Sequence, residues 1–185
     1  MSGDEREAKK AKVEPWTGSY KMNLSECLVK DAEGLSLHDI VDGPISNLQG
    51  VSERADAMME ILGVSTVREF ASWKFGKWST AMVTLAELER DGKRPDGSLM
   101  NIDLALDKEH EAKSLSEVVD LPVSALQGLT PKADELLKTH HVDTIAKLGK
   151  WKYIIWARAL VDLVDAEETM SPEERKQARM LKKLE

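Results

Sequence analysis

The sequence predicts an all-α protein made of two tandem helical repeats packed together, and three observations carry that prediction. Leu48-Gln49-Gly50-Val51-Ser52 returns as Leu126-Gln127-Gly128-Leu129-Thr130, and the same shift of 78 residues aligns residues 36–90 with 114–168 without a gap. Within each copy the apolar residues recur at three- and four-residue steps, and no stretch alternates convincingly as a strand would. Between those runs stand hydroxyl, proline and glycine residues in the order that starts and stops helices. A unit of about 55 residues buries a small share of its surface on its own, so the two copies are expected to pack against each other.

The elements follow in chain order. Residues 1–22 are expected to be a mobile tail, charged and interrupted by Pro15 and Gly18, with Trp16 and Tyr20 as its aromatic residues. Within it Lys9-Lys10-Ala11-Lys12 has the spacing of a short nuclear-import signal. Residues 23–90 form the first repeat with a preceding short helix, in which Leu24, Cys27 and Leu28 share a face and Gly34 makes the stop. Ser36-Leu37-His38-Asp39 and Ser114-Leu115-Ser116-Glu117 are capping boxes, each starting a short helix. A second short helix follows Pro44 and Pro122 and is closed by Gly50 and Gly128.

Ser52 and Thr130 are placed to cap a third helix, with Pro131 at its first position in the second copy. Gly63 ends that helix in the first copy, where His141 stands in the second. Thr66 and Thr144 cap a fourth helix. The last is the longest, and Trp78, Ala81, Met82 and Leu85, or Trp156, Ala159, Leu160 and Leu163, make its expected core face. Trp73 and Trp151, five residues before Trp78 and Trp156, lie about 140° away around such a helix. Residues 91–113 read as a connector, with two Asp-Gly pairs around Pro95. Residues 114–168 are the second repeat. Residues 169–185 carry a final helix opened by Ser171-Pro172-Glu173-Glu174.

Composition narrows the function. The chain has 185 residues, 42% apolar and 32% charged, with a net charge of −7. Each repeat sums to −3, from five basic against eight acidic residues and six against nine, while residues 1–22 sum to +1 and residues 169–185 to +2. That balance disfavours a polyanion as the main partner of the repeats. No run reaches the roughly 18 apolar residues of a membrane span, and residues 1–7 offer no apolar signal core. Cys27 is the single cysteine, which suits a reducing compartment. An intracellular place, cytoplasmic or nuclear, and no membrane partner are therefore expected.

The motif Leu-x-Gly-apolar-Ser/Thr-x-basic-Ala, then an apolar helix, then Gly-Val-x-Thr-apolar, resembles modules of the helix-hairpin-helix superfamily. It is carried by Leu48, Gly50, Val51, Ser52, Arg54, Ala55, Gly63, Val64, Thr66 and Val67, and by Leu126, Gly128, Leu129, Thr130, Lys132, Ala133, Val142, Thr144 and Ile145. The resemblance spans about 30 residues of each copy and leaves out the tryptophan-bearing helices. It implies either a corner that builds a protein-binding domain or a non-specific grip on nucleic-acid backbone through helix N-termini. Ser52 and Thr130 occupy the place of that hairpin's usual second glycine, where a side chain can cap the helix and fill a phosphate's position.

No arrangement of residues reads as catalytic, cofactor-binding or metal-binding. His140 and His141 are adjacent and point about 100° apart on a helix, so they do not converge on a metal. His38 and His110 are isolated, and Cys27 lacks a basic motif around it. Glu87, Glu89, Glu167 and Glu168 end long helices and read as solvated surface. The expectation is a non-enzymatic interaction or scaffold module whose partner is another protein or a second copy. Trp73, Lys74, Trp151 and Lys152 are its candidate partner-binding residues, since tryptophan anchors interfaces. The alternative is a non-specific nucleic-acid-binding adaptor using Gly50, Ser52, Arg54, Gly128, Thr130 and Lys132, helped by Lys147, Lys150, Lys152 and Arg158.

Overall fold

The computed structural model describes residues 22–183. The expected tail, including the Lys9–Lys12 cluster, Trp16 and Tyr20, falls outside the described residues except for Met22. The chain is mostly helical and has no strand among the described residues, as an all-α protein should. Its helices are α1 Leu37–Asp42, α2 Glu53–Ile61, α3 Val67–Ser72, α4 Lys74–Ala86, α5 Leu115–Val118, α6 Pro131–Lys138, α7 Ile145–Gly149, α8 Lys152–Val164 and α9 Pro172–Leu181. Helices α1 to α4 and α5 to α8 thus lie at the offset of 78 residues seen in the sequence.

The boundaries follow the local chemistry. Ser36, Thr66, Ser114, Thr144 and Ser171 each accept a hydrogen bond from the third residue of the helix they precede. Thr66 with Glu69, Ser114 with Glu117 and Ser171 with Glu174 complete reciprocal capping boxes. The short helices expected after Pro44 and Pro122 are single 3-10 turns, Ile45–Asn47 and Val123–Ala125. Their first-turn N–H groups are satisfied from a distance: the Ser46 N–H donates to Asp56 Oδ1 at 2.8 Å and the Ser124 N–H to Asp134 Oδ1 at 2.9 Å.

Two segments depart from expectation for one physical reason. Residues 24–34 form turns and no helix. Cys27 and Val29 instead exchange backbone hydrogen bonds with Gln49 and Asn47, and Leu28 bridges Leu48. In the stretch read as connector, Ala105 and Asp107 do the same with Gln127 and Ala125, and Leu106 bridges Leu126. Leu28, Leu48, Leu106 and Leu126 are all buried. Extended backbone at both places lets a buried leucine pair with the chain just before a glycine turn, which an amphipathic helix could not do.

The packing exchanges the long helices. Helix α4 lies against α7 and α5, and α8 lies against α3 and α1, so each long helix packs on the half to which it does not belong. Both crossings use small residues. At the first, a side chain on Gly149 would meet the Ser79 carbonyl at 2.5 Å, and Thr80 Oγ1 donates to the Gly149 carbonyl at 3.2 Å. The residues equivalent to Gly149 and Ser79 are Ala71 and Ala157, both buried. Near the centre, Gly76 faces its own equivalent, Ile154, so closely that a Cβ would lie 2.7 Å from Ile154 Cδ1. Equivalent positions thus meet as they do across a two-fold axis.

Glutamates tie the exchange. Glu89, beyond the end of α4, accepts the N–H groups of Leu115 (2.7 Å) and Ser116 (2.9 Å) at the start of α5. Its equivalent Glu167, beyond α8, accepts those of Leu37 (2.8 Å) and His38 (3.3 Å) at the start of α1. These two acids are therefore caps on the opposite half and not solvated surface, as sequence reading placed them. Each supplies a carboxylate where a helix start has unpaired donors and positive dipole.

Candidate interaction surface

The exchange brings the glycine turns at Gly50 and Gly128 beside the long helix of the other half. Gly50 turns with φ +91°, and the Tyr153 hydroxyl donates to its carbonyl at 3.1 Å. A Cβ on Gly50 would sit 2.8 Å from that hydroxyl oxygen, so both the backbone angle and the close approach call for glycine here. Gly128, with φ +104°, has Phe75 and the Lys74 ammonium at the same place. Phenylalanine has no hydroxyl, so the second corner lacks the hydrogen bond.

A lysine and two aromatic rings flank each corner. Lys152 Nζ stands 4.9 Å from the Tyr153 ring centre and 4.8 Å from that of Trp156. Lys74 Nζ stands 4.7 Å from Phe75 and 5.2 Å from Trp78. Within each helix the rings meet edge to face, Tyr153 with Trp156 at 5.6 Å and Phe75 with Trp78 at 5.9 Å. Such a cation-over-ring contact holds the lysine stem down while its charge stays in water.

Trp73 and Trp151 were candidate partner-binding anchors, and the structure uses their rings internally. Trp73 is buried against Phe75 at 5.4 Å. Trp151 is half-buried among Phe70 (5.5 Å), Tyr153 (5.8 Å) and His140 (6.2 Å). In the first copy Trp73 is buried and Trp78, expected in the core, is half-buried against it, while in the second Trp151 and Trp156 are both half-buried; Trp78 and Trp156 lie beneath the exposed lysines. The other two candidates, Lys74 and Lys152, are exposed at the corners.

The nucleic-acid candidates sit at the same corners. Gly50, Ser52 and Arg54 lie on the corner of Lys152, and Gly128, Thr130 and Lys132 on that of Lys74; all six are exposed. Ser52 and Thr130 make no side-chain cap, contrary to expectation, so their hydroxyls leave the first turns of α2 and α6 open. Acids crowd those turns, Glu53 and Asp56 in α2 and Asp134 in α6. Of the supporting cations, Lys147 pairs with Asp143 at 2.7 Å and Lys150 with Glu87 at 3.3 Å. Each of these two is held by an acid, and Lys152 is the supporting cation that stands over the ring bonded to Gly50. Sequence reading missed Tyr153 and Phe75; the signal was an aromatic residue following the lysine in both copies.

His140 is lowered from its ordinary value by burial and, second, by the neighbouring His141 charge. Burial pushes the Cys27 thiol up. Among the described residues no cluster of His, Cys, Asp and Glu could hold a metal ion, and no helix is long and apolar enough to cross a membrane. Comparison with protein-family models, with curated proteins and with solved structures returns no match.

Proposed function

We propose that the protein is a non-enzymatic interaction module made of two copies of one helix-hairpin-helix-like unit, each completed by the long helix of the other. Its partner is another protein or a second copy. The observation that carries this reading is the composite corner, formed twice: a glycine turn from one half beside a lysine lying over two rings from the other. A rigid aromatic platform with a cationic rim and little side-chain freedom to lose is what protein recognition favours. The test is reciprocal. Replacing Lys74 and Lys152 together by Glu should abolish cross-linking to the partner that the wild type retains, with helical content unchanged. Retention of that cross-link by the double variant sinks the proposal.

The uncapped first turns of α2 and α6, with Arg54 and Lys132 exposed beside them, support the adaptor reading as second choice. Phosphate contacts there would weaken steeply between about 50 and 200 mM salt. No binding of duplex or single-stranded DNA at the lower salt removes it.

A further inference from the structure

The long helices show solvent an apolar face that nothing in the described chain covers. On α8 this face runs Ile155, Trp156, Ala159 and Leu163, with Ile155 48% and Leu163 53% exposed. Its core side is separate, made by Ile154, Ala157, Leu160 and Val164. Helix α8 is therefore apolar on two sides, although one layer of packing needs only one. Helix α9, next along the chain, leaves the face open: it buries no residue of its own and approaches through Arg179, 3.9 Å from Glu168.

We infer that the exposed face of α8 is a self-association surface, on which a second copy of this chain docks with its own α8 antiparallel. The inference rests on the interaction-module reading and names the partner. Charge order along the helix supplies the argument. Lys152 stands at the N-terminal end of the face and Asp162 flanks it towards the C-terminal end, both exposed, while Asp165 lies about 120° round the helix from Ala159 and acts on Arg68 instead. An antiparallel pair sets each Lys152 towards the end of the second copy's helix that carries Asp162, while a parallel pair would put like on like. The register agrees. With Ala159 at the two-fold axis, Ile155 meets Leu163 of the second copy, and Trp156 meets Asp162 and Leu163. The small central residue lets the helices approach closely.

The equivalent face of α4 explains why the assembly closes at two. There Lys77 replaces Ile155 and Thr84 replaces Asp162, so the face is narrower and carries Lys74 and Lys77 at one end. The acid nearest its other end, Glu87, pairs with Lys150. Helix α4 is therefore not self-complementary, and one two-fold contact per chain makes a dimer.

Sedimentation of the full chain over a concentration series tests this. A monomer–dimer equilibrium is expected. Leu163→Glu or Ile155→Glu should raise the dissociation constant by more than about tenfold, the change that a 1.4 kcal/mol loss produces, while Leu85→Glu on α4 leaves it unchanged. In a Cys27→Ser background, Ala159→Cys should oxidise to a covalent dimer and Ala81→Cys should not. A chain that stays monomeric, equal effects of Leu163→Glu and Leu85→Glu, or equal cross-linking at positions 81 and 159 overturns the proposal. Lys152 and Trp156 belong to both surfaces, so the corner reading is tested apart from dimerisation by Lys74→Glu alone, which leaves the α8 face intact.

Discussion

The two halves of the molecule agree in the devices that cap them and close their turns, and differ in the side chains at their crossings, in local turns and on the surface. Glu89 and Glu167 cap opposite helices in the same way. Leu28 with Leu48 and Leu106 with Leu126 bridge alike ahead of the Gly50 and Gly128 turns. The differences lie at Gly63 against His141, at Lys77 against Ile155, and in the hydroxyl that Tyr153 has and Phe75 lacks. The glutamate caps serve both copies alike, whereas at the crossings Gly149 and Ser79 stand where the equivalent pair is Ala71 and Ala157. A solvent-facing residue is free to specialise in one.

That comparison can be broken hardest at the α4–α7 crossing. Gly149→Ala forces a Cβ against the Ser79 carbonyl and should cost about 1–3 kcal/mol, as overpacking does. Its equivalent already holds alanine, so Ala71→Gly should cost only about 1 kcal/mol. Denaturant titration of both variants measures the asymmetry. Removing either cross-half cap, by Glu89→Ala or Glu167→Ala, should lose about 1 kcal/mol each, with similar values if the halves are equivalent.

Two substitutions should stabilise. The Ser79 hydroxyl is fully buried without a partner in a place where the other half has Ala157. Ser79→Ala should therefore gain about 1 kcal/mol. His141 adopts φ +61° where the first half has Gly63 at +78°. His141→Gly relieves that left-handed strain and should gain somewhat less, up to about 1 kcal/mol. Thermal melting reads both.

The smallest effects are pH-dependent. Burial raises the Glu89 carboxyl, but hydrogen bonds from the Ser116 hydroxyl and from the Ser116 and Leu115 N–H groups outweigh it and hold the group below its usual value. Its stabilisation is complete above the ordinary carboxylate value and fades as pH falls through the lower folded-state value. Glu89→Gln should flatten the acid limb of a stability–pH curve. His140 is likewise lowered, but there the neutral ring is the favoured form. Stability it contributes is intact at neutral pH and lost as pH falls below the ordinary imidazole value. His140→Leu, copying Leu62 of the first half, should remove that loss.

Much of the fold could be read from residues in order, because caps and turns are local. Thr66 with Glu69, Ser114 with Glu117 and Ser171 with Glu174 sit three residues apart, as their chemistry requires. The exchange could not be read that way. Glu167 meets Leu37 and Tyr153 meets Gly50 across more than a hundred residues, and such pairs leave no local pattern. The core face of α4 misled for another reason: Gly76 and Ser79, which mark the buried side, are small, while Trp78 and Leu85 draw attention to the exposed one. Of the candidate site, the lysines and the glycine turns were legible separately. Their meeting depended on the exchange.

The exchange also decides how the molecule comes apart. Neither half keeps a complete core without the other's long helix, so unfolding should be a single cooperative transition, with no half-folded intermediate to populate. Residues 91–99 then act as a tether that holds two mutually dependent pieces at high effective concentration. Cutting that tether would turn a unimolecular folding reaction into a bimolecular one, with a stability that depends on how much protein is in the tube.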